Sequence, residues 1–88
     1  LRRNDMENTV VVILIIPSRK LKVDLEVNLD ITATELAIAI NIAYELGIDT
    51  SNIRNCYIKS ERPIALLRGN KTLREFGLRN GSIIKVTA

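Results

Sequence analysis

The sequence predicts an α+β fold, a mixed sheet of four to five strands packed on one helix in the order ββαβ(β)β. Three stretches carry the prediction: an aliphatic run at residues 10–16 (V-V-V-I-L-I-I), a strictly alternating run at 21–29 (L-K-V-D-L-E-V-N-L), and an amphipathic segment at 32–47 (T-A-T-E-L-A-I-A-I-N-I-A-Y-E-L-G). A single long helix makes a single helical layer, and a sheet covered on one face is the economical partner for it.

The first run is β-branched, ends at Pro17-Ser18 and falls far short of the roughly 20 residues needed to span a bilayer. It reads as a strand buried at the sheet centre. Arg2 and Arg3 ahead of it suggest a signal peptide, but no small-residue cleavage site follows. Arg19-Lys20 turns the chain into the second strand, with Leu21, Val23, Leu25, Val27 and Leu29 inward and Lys22, Asp24, Glu26 and Asn28 outward. That charged row suits an edge strand, since it discourages pairing with other chains.

In the helix, Thr32 and Glu35 form a capping box, and Gly47 is expected to close the C-terminus with a positive φ. At about 100° per residue, Leu36, Ala39, Ile40, Ala43 and Leu46 share the core face, opposite Thr34, Asn41 and Glu45. Residues 55–60 (N-C-Y-I-K-S) predict a short strand with Cys56 and Ile58 on one face and Tyr57 and Lys59 on the other. Glu61-Arg62-Pro63 turns the chain, 64–67 form a brief strand ended by Gly69-Asn70, and 72–78 form one helical turn with Leu73, Phe76 and Leu78 under the sheet. Asn80-Gly81 is a turn, and 83–86 close the sheet with Ile84 and Val86 inward. A last strand beside the first would explain why 10–16 is apolar on both sides, and that is the β-grasp arrangement.

At 88 residues there is room for one domain. Residues 1–8 are expected to be a disordered or non-native N-terminus, with Met6 the native start, and 9–88 the domain. Without His and with a single Cys, the chain offers no conventional transition-metal site and no His-based triad, so neither an enzyme nor a cofactor is expected. Cys56 reads as a buried small hydrophobe and implies a reducing, cytoplasmic setting. Residues 1–53 carry five Lys/Arg against eight Asp/Glu, a net −3, while 54–88 carry eight against two, a net +6. Nucleic-acid binding through Arg54, Lys59, Arg62, Arg68, Arg74, Arg79 and Lys85 is not expected, because stacking aromatics are scarce.

The string T-L-R-E-F-G-L-R-N-G-S-I-I-K-V, with Leu73, Phe76, Leu78, Gly81, Ile84 and Val86 at recurring positions, resembles the ubiquitin-like superfamily. Two departures accompany the resemblance. Conjugated members and sulfur carriers end in a flexible Gly-Gly tail, whereas this sequence stops at Lys85-Val86-Thr87-Ala88. Where ubiquitin offers its receptors an apolar patch, the matching positions are Tyr57, Lys59, Lys85 and Thr87, so ubiquitin receptors are not expected to recognise it. A small, tailless domain with an apolar first strand looks like the YukD/EsaB-like accessory proteins of the bacterial WXG100, or type VII, secretion system. That resemblance implies a cytosolic, non-conjugated module acting on a membrane-embedded secretion subunit without inserting into the membrane.

Three functional expectations follow. The first is a non-enzymatic protein-interaction module, with Tyr57, Lys59, Ile83, Lys85, Ile38 and Ile42 as its candidate surface and a homodimer as a further option. The second is a modifier or sulfur carrier missing its Gly-Gly tail, and the third a regulatory β-grasp domain of a larger protein. Which parity of 10–16 faces the helix is open at this point. So is whether the other parity forms a partner surface or is shielded by long side chains such as Lys59 and Lys85.

Overall fold

The computed structural model describes residues 8–47 and 58–86. The strands are β1 (Thr9–Ile16), β2 (Leu21–Asn28), β3 (Ile58–Glu61), β4 (Ala65–Leu67) and β5 (Ile83–Lys85). The helices are α1 (Ala33–Tyr44) and the single turn α2 (Leu73–Phe76). They form one five-stranded mixed sheet in the order β2-β1-β5-β3-β4. β1 is antiparallel to β2 and parallel to β5, while β3 is antiparallel to both β5 and β4. This is the expected order, with β1 paired on both sides and the charged β2 at an edge.

Register settles the parity of β1. Val12, Leu14 and Ile16 lie opposite Leu25, Val23 and Leu21, and all three are fully buried. With Ile58, Leu67, Leu73, Leu78, Ile84 and Val86 they make the core beneath α1. The other parity, Val11, Ile13 and Ile15, lines the opposite face of the sheet.

The α1 start is as expected: the Glu35 amide donates to Thr32 Oγ1 over 3.1 Å and the Thr32 amide to Glu35 Oε1 over 2.8 Å. Its end is not. The helix stops at Tyr44 and Glu45 takes the left-handed cap at φ 51°, two residues before Gly47, which does take its expected positive φ of 74°. The reason is a distant donor: the Arg19 guanidinium, on the 3-10 turn Pro17–Arg19, donates to the carbonyls of Tyr44 (3.1 Å) and Glu45 (2.8 Å). The exposed carbonyls are satisfied there, two residues before the glycine.

The buried face of α1 is rotated from the expected one. Ala33, Thr34, Leu36, Ala37 and Ile40 are buried, whereas Ala39 and Ala43 are exposed; Leu46 lies past the helix end yet packs against the core as expected. Thr34 tolerates burial because its hydroxyl and its amide both donate to the Gly69 carbonyl, at 3.0 and 3.1 Å. A second capping box at Thr72 and Glu75 starts α2. The two caps adjoin: Thr32 and Thr72 form an isolated bridge, the Ala33 amide donates to Lys71 O (3.0 Å), and the Leu73 and Arg74 amides donate to Ile31 O (3.0 Å) and Leu29 O (2.8 Å). Leu73 and Leu78 are buried as expected, but Phe76 is only half-buried, with Lys71 Nζ 4.9 Å from its ring centre.

Candidate interaction surface

The face of the sheet turned away from α1 is built by one parity of each strand, and the registers assemble it into two rungs. Leu66, Lys59, Lys85, Ile15 and Lys22 follow one another across all five strands. Beside them run Glu61, Ile83, Ile13 and Asp24, and Val11 opposite Glu26 continues the face. A cationic rung therefore lies against an aliphatic one bounded by carboxylates.

Lys59 and Lys85 are direct cross-strand partners, which alone would be repulsive. Glu61 relieves the repulsion, with its Oε2 3.8 Å from Lys85 Nζ. Both ends of this ion pair are substantially exposed, so it positions the lysines more than it stabilises the fold. Ile13, Ile15 and Ile83 are half-buried, and Ile15 sits between its cross-strand partners Lys85 and Lys22. Val11 and Leu66 remain 43% and 41% exposed, and Ile64 at the β4 end is 91% exposed. Ile64, Leu66, Lys59 and Lys85 line a shallow open depression of about 600 Å³.

Of the expected surface residues, the structure brings Lys59, Ile83 and Lys85 together here. Ile38 and Ile42 are elsewhere: they flank α1, on the other side of the sheet, with Ile42 71% exposed. Tyr57, Thr87 and Cys56 lie outside the described residues. Of the aliphatic members, Ile64 and Leu66 are not in the expected set, while Val11, Ile13 and Ile15 are the parity of 10–16 that the sequence leaves open as a partner surface. The signal for three of them was present: Ile16 and Leu21 flank a four-residue connection and so stand opposite each other. Once Leu21 is inward, Val11, Ile13 and Ile15 must be outward.

Among the described residues no group of three or more His, Cys, Asp or Glu is placed to hold a metal ion, and no helix is long and apolar enough to cross a membrane. No family model and no curated protein matches the sequence. Solved structures do match. The C-terminal ubiquitin-like domain of mouse tubulin-specific chaperone e aligns with a TM-score of 0.69 at 9% identity, over 91% of this chain and 86% of that one. The fold is ubiquitin-like. A ubiquitin-like domain from Arabidopsis thaliana aligns with a TM-score of 0.62 at 19% identity, covering 89% of this chain and 74% of its own. The UBL domain of Plasmodium falciparum Dsk2 also gives 0.62, at 14% identity over 90% and 96%. At these identities the likeness concerns the backbone arrangement. The surface of this ubiquitin-like domain has to be read from its own residues.

Proposed function

We propose that this ubiquitin-like domain is a non-enzymatic, non-conjugated interaction module that docks noncovalently through the outer face of its sheet. The observation that carries the reading is the juxtaposed pair of rungs, Leu66-Lys59-Lys85-Ile15-Lys22 and Glu61-Ile83-Ile13-Asp24. A solvated face with no partner has little use for aliphatic side chains at four of those nine positions, and the lysines beside them favour a partner with matching carboxylates. The resemblance to YukD/EsaB-like proteins supports a finer reading: a cytoplasmic accessory or regulatory component of a bacterial type VII secretion apparatus, contacting a membrane-embedded subunit.

The test is affinity capture of the tagged full-length protein from its native cells, read by mass spectrometry for co-purifying proteins and for the mass of the bait. Recovery at unmodified mass with secretion-apparatus components, lost in an Ile13→Lys variant that still folds, is the expected result. Ladders of covalent adducts, or a thiocarboxylate at a longer C-terminus, would overturn it in favour of a modifier or sulfur carrier.

A further inference from the structure

The two edges of the sheet are unequal. β4 is an edge of three residues, whereas β2 is an edge of eight, and among the described residues no strand pairs with its outer side. A strand edge of that length presents a row of backbone donors and acceptors with no ladder partner, the group most prone to recruit another strand. We propose that β2 pairs antiparallel with β2 of a second copy of this chain, about a twofold axis at Val23, so that the two sheets join into one.

The charge pattern selects this occupant and this register. Outward residues of β2 read Lys22, Asp24, Glu26, a cation first and carboxylates after, with Lys20 on the turn just before the strand. Antiparallel pairing about Val23 sets each Lys22 opposite an Asp24, giving two complementary pairs by symmetry, and brings each Glu26 to the turn that carries Lys20. The neighbouring registers that keep outward residues outward do worse. Centring on Asp24 pairs Lys22 with Glu26 but sets Asp24 against itself, centring on Lys22 sets Lys22 against itself, and centring on Leu25 sets Asp24 against Glu26. Slipping by one residue would set charged residues against the inward row. The alternation that deters foreign strands is therefore self-complementary in one alignment.

The inward side fits the same occupant. Leu21, Val23 and Leu25 are only half-buried in a single copy. Beside them a groove of about 200 Å³ runs between β2 and α1, walled by Leu25, Ala39, Ala43 and Tyr44. In the pair, Val23 meets Val23 and Leu21 meets Leu25 across the axis, and the two grooves, which follow residues 25–28, lie on either side of it. The small Ala39 and Ala43, apolar yet exposed, leave room for the approach. Two strands and two helix flanks make an interface smaller than the standard of about 1,600 Å², so the dimer is weak, concentration-dependent and loosened by salt.

Sedimentation equilibrium of the 88-residue chain from micromolar to millimolar concentration at low salt tests this, with circular dichroism checking the fold of each variant. A reversible dimer is expected. Lys22→Glu, at an exposed position, should weaken it by about tenfold or more, and adding salt should weaken the wild type in the same direction. The double exchange Lys22→Asp with Asp24→Lys restores opposite pairing in the homodimer and should restore association. A chain monomeric throughout the range would overturn the proposal. So would a dimer indifferent to Lys22→Glu, or one that the double exchange fails to restore. None of these outcomes depends on Ile13 or on the outer-face partner.

Discussion

The two faces of the sheet use much the same aliphatic residues to opposite ends. On the inner face, Leu14 lies between Val23 and Ile84 under α1 and is fully buried. On the outer face its chain neighbour Ile13 lies between Asp24 and Ile83, with water on one side. Hydrophobicity alone does not distinguish them. Layer position does: the face that carries a helix becomes core, and the face without one becomes surface.

The sharpest way to break the comparison is Leu14→Ala, which should cost about 2–5 kcal/mol by removing buried methyls and leaving a cavity. Chemical denaturation should show the loss as a lower midpoint at unchanged slope. Ile13→Ala on the outer face should cost less than about 1.5 kcal/mol in the same assay. Equal losses would mean that the outer face is core-like and that the interaction reading is wrong.

A smaller effect tests the polar exception on the inner side. Ser82 is fully buried, its hydroxyl donating to the Arg62 carbonyl and accepting from the Arg79 amide at 3.0 Å. Ser82→Ala leaves both groups without that partner and should lower stability by about 1–3 kcal/mol, measured by the same melts.

The smallest effect is a pH dependence at α2. The Thr72 amide, and secondarily its hydroxyl, hold Glu75 below its ordinary carboxylate pKa. A lowered folded pKa means that this contribution is present above the unfolded value of 4.5 and fades as pH falls through the folded one. Melting temperature in acid should therefore drop less steeply for Glu75→Gln than for the parent.

Local signals were the legible ones. Thr32 and Glu35 announce a helix start from three residues' spacing, and the alternation of residues 21–29 announces an edge strand, because both rules act within one element. The same T-x-x-E spacing recurs at Thr72 and Glu75 and was equally readable. What sequence could not show are bonds between distant residues. Arg19 ends α1 from 25 residues away, displacing the role expected of Gly47, and Asn80 Oδ1 accepts the Val11 amide across 69 residues at 2.8 Å. The rotated helix face has a similar origin. Ala33 and Ala37 win over Ala39 and Ala43 because the Thr34–Gly69 contact anchors the first turn, which no wheel contains. The outer surface was half legible: strand alternation gives Lys59, Ile83 and Lys85, whereas Ile13 and Ile15 stand in a run that does not alternate and follow only from the hairpin that ties their parity to Leu21.

The parallel pairing of β1 with β5 bears on how the protein is made. β1 acquires its second neighbour only when residues 83–85 have left the ribosome, long after the strand itself has emerged. Until then V-V-V-I-L-I-I has one open edge, and an aliphatic strand with an open edge is prone to aggregate. Folding of this domain is thus completed only after its last strand has emerged. A nascent chain held before residue 83 should need a chaperone, and one held well past residue 86 should not.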